Sequence, residues 1–291
     1  MGIKFGVAGF PPNFGKSPYK SKRERIFEWL HSLGLDWIEL QNTYGVKMPE
    51  KQAVAYRKLA EEYGIGISIH APYYIAFASR NLDVVERSKR RMLQCVHLAQ
   101  LLGSERIIFH PGYPPGKTQE DRRIGMARMI DALQELEPQI PAGIYVYPET
   151  AGKRGQLGSV DEILEICGSV KYARPCLDMA HIHAFQMGSL ENACSILGIF
   201  SQAVNSLGSN VLKKLHIHMY PVEYDHNGEK KHKAFSDISD VEADMPYHPT
   251  AENFIAAVSK LELDTVVVCE ARDTQDVGAI LMKHLLYGDT L

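Results

Sequence analysis

The sequence predicts an α/β fold, a (β/α)8 barrel, and three observations carry that prediction. Eight short apolar runs alternate with eight longer amphipathic stretches, no linker or shift of composition interrupts them, and metal-capable side chains close six consecutive runs. Barrels of this kind reach about 250 residues or more as one domain. Residues 1–291 therefore read as a single barrel domain with its site at the C-terminal ends of the strands.

The strands are predicted at Ile3–Ala8, Trp37–Leu40, Gly66–His70, Arg106–His110, Gly143–Glu149, Pro175–Asp178, Lys214–His218 and Thr265–Glu270. Several are β-branched and almost continuously apolar, as parallel strands buried on both faces require. Helices are predicted at Lys20–Leu33, Glu50–Tyr63, Leu82–Leu102, Gln119–Glu137, Val160–Cys167, Leu190–Leu207, Thr250–Leu261 and Thr274–Leu286. Gly34, Gly64, Gly103 and Gly208 follow four of them and suit left-handed C-caps. An open doubly wound sheet would want a phosphate loop after its first strand, and Gly6-Val-Ala-Gly9-Phe-Pro-Pro lacks GxGxxG spacing.

Composition excludes several classes. With 45% hydrophobic and 23% charged residues the chain can bury a sizeable core. No run approaches the roughly 18–20 apolar residues of a membrane span, and the apolar start at Ile3 is too short for a signal peptide. Five cysteines form no CxxC pair and leave an odd count, which reads as reduced thiols of a cytoplasmic protein. A net charge of −3 argues against coating nucleic acid by bulk positive charge. It leaves room for local phosphate contacts, because bound metal ions bring their own charge. No membrane and no obligate protein partner is inferred.

The chemistry lies in how the strands end. The third ends at His70, the fourth at His110, the fifth at Glu149, the sixth at Asp178 with His181 beyond it, the seventh at His216 with His218, and the eighth at Glu270. In a barrel all these ends converge on one face. Imidazoles and carboxylates in this ratio suit Zn²⁺, or Mn²⁺ and Fe²⁺, better than Ca²⁺ or Mg²⁺. Three histidines with three acidic residues exceed one tetrahedral ion, so Glu149, midway in the series, is the natural bridge. A lone strand-end histidine is more often a hydrogen-bonded structural residue; six metal-capable strand ends in register are hard to explain that way.

Around this set, His183 and His218 each follow a ligand candidate by two residues and read as extra ligands or as supports behind the ligands. Asp178 and His181 leave the sixth strand in the turn after it. Glu223–His232 reads as a polar loop folding over the site, with His232 a candidate ligand and Lys230 and Lys231 candidate phosphate contacts. For the lysines, a solvated charged loop is an equal reading. Tyr73 and Tyr74 could pack or form a stacking platform for a base or sugar. His31, His97, His226, His248 and His284 fall away from strand ends.

With those residues in view, the chain resembles endonuclease IV (AP endonuclease family 2), within the xylose isomerase-like barrel superfamily. The resemblance covers nearly the whole chain. It rests on HAPY at 70–73, FHPG at 109–112, PET at 148–150, D-x-x-H at 178–181, His216 and Glu270 in that order. HIH followed by EY and GEKKH (216–232) looks like the archaeal-type branch. The resemblance implies zinc, about two to three ions, with Mn²⁺ as the other candidate. His70, His110 and Glu149 would hold the first; Glu149, Asp178, His216 and Glu270 the second; His181 and His232 would contribute to a third. It implies hydrolysis of the phosphodiester 5′ to an abasic site, with DNA as partner, and Tyr73 where a residue probes around the flipped-out lesion.

The chain departs from the family's pattern twice. The usual Asp-x-His of the loop has Lys230 two residues before His232, with Glu229 beside it. Glu229 could substitute by a small loop shift, or Lys230 could replace the third ion's charge directly. The loop at 41–47 does not reproduce the family's DNA-penetrating segment. A metal-dependent sugar isomerase or epimerase of the same superfamily is the alternative function; it would use Glu149, Asp178, His216 and Glu270 around one ion without needing His70, His110 and His181. A non-catalytic barrel that binds metal structurally is a third reading, disfavoured by the nearly full ligand set.

Overall fold

Alternation decides what the strands do. In Ile3–Ala8 (β1), Trp37–Gln41 (β2), Gly66–His70 (β3), Arg106–Phe109 (β4), Tyr145–Pro148 (β5), Cys176–Asp178 (β6), His216–Met219 (β7) and Thr265–Cys269 (β10), every second side chain points outward. Phe5, Ile38, Ile69, Phe109, Leu177 and Ile217 belong to this outward set and join the main hydrophobic core beneath the helices. The computed structural model describes residues 2–236 and 247–288.

The eight strands form one parallel sheet in the order β5-β4-β3-β2-β1-β10-β7-β6. Parallel bridges Val146–Ala173 and Glu149–Cys176 join its two ends, supported by the amide of Thr150 donating to the Cys176 carbonyl at 3.1 Å. This is the expected (β/α)8 barrel. The helices are Ile26–Ser32 (α1), Glu50–Tyr63 (α2), Leu82–Leu102 (α3), Gln119–Leu136 (α4), Val160–Ser169 (α5), Met179–Phe185 (α6), Ala193–Leu207 (α7), Ala251–Val258 (α8) and Gln275–Tyr287 (α9). Among the described residues, no helix is long and apolar enough to cross a membrane.

Where the boundaries differ from expectation, local chemistry explains them. Helix α1 starts at Ile26 rather than Lys20, and the arginines before it stack on rings, Arg23 over Phe10 and Arg25 over Tyr19. Helix α7 starts at Ala193 rather than Leu190, because Asn192 caps it and exchanges bonds with Ser195. Strand β5 starts at Tyr145, after a turn in which Gly143 takes a positive φ of 89°. Gly64 and Gly103 are left-handed C-caps as predicted.

A helix and a hairpin near the strand ends were not predicted. The turn expected after β6 is helix α6, capped by Asp178, whose side chain accepts from the His181 amide. The polar loop at 223–232 is an antiparallel hairpin, Val222–Asp225 (β8) with Gly228–His232 (β9).

The barrel interior carries buried polar groups, among them Glu39, Ser68, His216 and His218. Near its lower end Arg106 lies over the rings of Trp37 and Tyr147, 5.8 and 5.1 Å from their centroids. Gly66 faces Trp37 from the neighbouring strand, and the indole fills the place a Cβ would take. Gly66→Ala should therefore overpack this layer and lower stability by about 1–3 kcal/mol, read as a lower urea midpoint at unchanged slope.

Candidate metal centre

Strand register sets the height of each inward side chain. Asp178 pairs with His218 and Cys176 with His216, so His218 stands level with Asp178 while His216 lies one inward step lower. Around Asp178 and His218 the other ends add His70, His110, Glu149 and Glu270. Helix α6 brings His181 over the rim, and hairpin β8–β9 brings Glu229 and His232.

Glu149 is the hub. It is 1% exposed, and its two oxygens face different imidazole pairs. Oε2 lies 3.2 Å from His70 Nε2 and 3.3 Å from His110 Nδ1. Oε1 lies 2.9 Å from His218 Nδ1 and 3.4 Å from His181 Nδ1. Asp178 Oδ2 and Glu270 Oε1 stand 3.7 and 3.8 Å from the same His218 nitrogen. An outer group adjoins this one: Glu229 reaches His181 Nε2 at 3.0 Å and His232 Nε2 at 2.9 Å.

A β-bulge creates that outer group. Between Glu223 and Tyr224 the hairpin register shifts, so that Lys231 opposes Glu223 and Glu229 opposes Tyr224, leaving Lys230 as the extra residue. Without the bulge, residues three apart would fall on opposite faces; with it Glu229 and His232 share one. Lys230 turns outward to pair with Glu223. The substitution of the ion's charge by Lys230 is thus corrected: Glu229 takes the inner position.

Three other expectations change. His216, read as a ligand beside Asp178, stands one inward step lower, 3.0 Å from Glu39 Oε2, where Glu39, His216 and His218 also bring three ligand atoms within 4.8 Å of one another. His183 lies on the far side of α6, accepting from the Leu190 amide and facing His248 and Tyr224. Lys231, like Lys230, is exposed on the hairpin. Tyr73 does reach the mouth, 64% exposed, with its ring stacked on His110 at 5.5 Å.

Sequence reading missed Glu39, fully buried on β2. It does not close its strand, so a search of strand ends passes over it. The available signal was an acidic residue inside the apolar run Trp37-Ile-Glu-Leu, at the parity of the inward face.

The electrostatics follow from packing acids and imidazoles together. Burial opposes the charge on Glu149, but the imidazoles around it, through the charge of His218 and the hydrogen bonds of His218 and His70, hold its carboxyl well below the usual range. Glu39 is likewise held low, against burial, by His218 and His216. Burial lowers His70, yet the bond and charge of Glu149 lift it to about 9. His232 also overcomes burial and reaches about 9 through Glu229 and Glu270. His110 goes the other way, to about 4, because burial dominates.

The donor set fits divalent ions. His70, His181 and His232 each place Nδ1 at 2.8–2.9 Å from a backbone carbonyl, of Ala71, Thr150 and Glu270. A carbonyl only accepts, so Nδ1 carries the hydrogen and Nε2 is the nitrogen turned to a carboxylate. A cation between that lone pair and the carboxylate satisfies both. Asp178 Oδ2 is buried with no hydrogen-bond partner, as a ligand oxygen awaiting a cation would be. His70–His110–Glu149, Glu149–Asp178–His181 and His181–Glu229–His232 each bring three ligand atoms within 4.8 Å of one another.

Without metal, protons must do this work, and that fixes a pH dependence. The folded-state pKa of His70 is about 9 against 6.5 when free, so its contribution is complete below 6.5 and vanishes as pH rises through about 9. His232 acts in the same sense and window. Chelator-stripped protein should therefore lose melting temperature between pH 6.5 and 9, whereas zinc-loaded protein should not. Parallel melting curves across that range, with and without chelator, check it.

A sequence profile of the xylose isomerase-like TIM barrel matches residues 27–285. An uncharacterized protein of Methanocaldococcus jannaschii is 30% identical over 285 residues, covering 96% of this chain and 95% of its own. A probable endonuclease 4 of Thermoplasma acidophilum is 31% identical over 140 residues, 47% of each chain, so this chain spans about half the length of that relative. Among solved structures, endonuclease IV from Thermus thermophilus superposes with a TM-score of 0.67 at 16% identity, covering 98% of both chains. D-psicose 3-epimerase from Clostridium cellulolyticum superposes with 0.66 at 13% identity and the same coverage. These superpositions speak for the fold alone. The chain belongs to the xylose isomerase-like TIM barrel family, with distant similarity to endonuclease IV.

Proposed function

We propose that this chain is a zinc-dependent endonuclease that hydrolyses the phosphodiester 5′ to abasic sites in DNA. The observation that carries this reading is the division of Glu149, with His70 and His110 on one oxygen and His218, beside Asp178 and Glu270, on the other. A carboxylate so divided suits a bridge between two ions. His70, His110 and Glu149 would hold one, and Glu149, Asp178, His218 and Glu270 a second. His181, Glu229 and His232 would hold a third. Bound ions of this class acidify water and neutralise charge developing on phosphoryl oxygens.

The protein's own groups supply the rest. His110, with its pKa down to about 4, is neutral at physiological pH and offers a lone pair rather than a proton. Glu149 stays ionised throughout that range. Tyr73 presents a ring at the mouth, where a sugar or base can stack on it. Likeness to relatives named as probable endonuclease 4 supports the same reading.

A metal-dependent sugar isomerase or epimerase is the second reading. It is favoured by the subset Glu149, Asp178, His218 and Glu270, which alone suffices for one ion. Metal content separates the two. About two to three zinc ions per chain supports the nuclease, while one exchangeable Mn²⁺ or Mg²⁺ supports the isomerase.

Glu149→Gln should reduce incision of a duplex carrying one abasic site by more than about 100-fold, with the far-ultraviolet circular dichroism unchanged. Retained incision would exclude the bridging role. Tyr73→Ala should act on substrate binding, raising KM by about 5- to 100-fold, as expected for losing one stacked ring, with a smaller change in kcat. An equal fall in kcat with KM unchanged would place Tyr73 in the chemical step instead.

A further inference from the structure

Beneath the cluster, four polar side chains crowd the two oxygens of Glu39. Oε1 accepts from Gln41 Nε2 at 3.2 Å, and Oε2 accepts from Ser68 Oγ at 2.9 Å. His216 Nε2 stands 3.0 Å from Oε2. His218 Nε2 lies between the oxygens, 3.2 Å from Oε1 and 3.4 Å from Oε2. Trp37 fixes the Ser68 hydroxyl in turn, its indole N–H donating at 3.0 Å. Gln41 and Ser68 thus donate to one oxygen each and His218 Nε2 meets both, which limits how far this carboxylate can turn.

We propose that Glu39 is a positioning residue of the metal centre, accepting the Nε2 hydrogen of His218 and thereby committing Nδ1 of that ring to the ion held with Glu149, Asp178 and Glu270. The inference rests on the reading that this cluster holds divalent ions. Both ring nitrogens of His218 face carboxylates, Nε2 that of Glu39 and Nδ1 those of Glu149, Asp178 and Glu270. With an ion among the latter three, Nδ1 offers its lone pair, and the one hydrogen of the neutral ring falls on Nε2, where Glu39 accepts it. The opposite nitrogen of His218 is the one 2.9 Å from Glu149.

His218 needs such a partner for a reason peculiar to its place. His70, His181 and His232 anchor on backbone carbonyls of strand ends or loops. His218 lies within β7, paired on both sides by β6 and β10, where neighbouring carbonyls are consumed by the sheet. Only a side chain rising from a lower layer of the barrel can meet its inner nitrogen, and β2 supplies it. Partners of this kind fix the tautomer of a ligating histidine, and losing one typically costs about 10- to 100-fold in metal affinity.

The test compares zinc affinity of full-length wild-type protein and Glu39→Gln, by competition with a chromophoric chelator, alongside the visible spectrum of the cobalt-substituted proteins. Glu39→Gln should bind zinc about 10- to 100-fold more weakly, with an altered cobalt spectrum. Ser68→Ala, which removes one donor to Glu39 and touches no ligand, should show a smaller loss in the same direction. Long-range proton–nitrogen correlation of the imidazoles in zinc-loaded wild type should find His218 protonated at Nε2 and bare at Nδ1. This measurement decides the matter even where Glu39→Gln does not fold. Equal zinc affinity in folded Glu39→Gln, or a proton on Nδ1 of His218, would overturn the inference and leave the metal reading standing. Wild-type protein that takes up no zinc, cobalt or manganese overturns both.

Discussion

A closed barrel that buries several carboxylates must also bury their compensation. Glu39, Glu149 and Asp178 are all within 1% of full burial, and an unpaired carboxylate in such surroundings costs several kcal/mol even after relaxation. Most of the arrangement around them follows from this constraint. Strands β3 to β7, β9 and β10 and helix α6 all bring imidazoles or carboxylates to the mouth, and the imidazoles sit where they can answer the buried charge by proton or by metal. The same constraint explains why the interior is layered, with Arg106 among aromatic rings below, Glu39 with its donors in the middle and the candidate metal centre above.

Compensation of this kind works only at short range, so the strands must hold their register closely. A slip of one residue in β7 would turn His216 and His218 outward and bring Ile217 into the barrel. The parallel pairing of β6, β7 and β10 forbids this by tying Asp178, His218 and Val268 to one level. Above that level the backbone is freer, and nature of the anchor changes accordingly. His70, His181 and His232 use carbonyls, while His218 uses Glu39. Ligand orientation and sheet geometry are thus two aspects of one hydrogen-bond inventory.

The hairpin β8–β9 shows how a local irregularity serves the same centre. Its bulge at Lys230 lets Glu229 and His232 face inward together, and the stacking of Tyr220 on His232 at 4.1 Å keeps the second of these in place. Lys230, displaced outward, joins Glu223 on the surface. The acidic member of the outer group is thereby one residue earlier than the Asp-x-His spacing suggests, and only the bulge reconciles the two.

How much of this was legible in the linear chain depends on the kind of information involved. The barrel was legible, because apolar runs of strand length alternating with amphipathic helices leave few other closed packings. Most of the cluster was legible as well, because chemistry at strand ends gathers on one face of a parallel barrel whatever the details. His70, His110, Glu149, Asp178, His181 and Glu270 needed no more than that rule to be brought together. The level of His218 beside Asp178 with His216 below it, the inward turn of Glu229 and the place of Glu39 were decided only in three dimensions. Each depends on register, on a bulge or on contact between strands far apart in sequence, and pairwise geometry of that kind has no signature in composition or spacing along one chain.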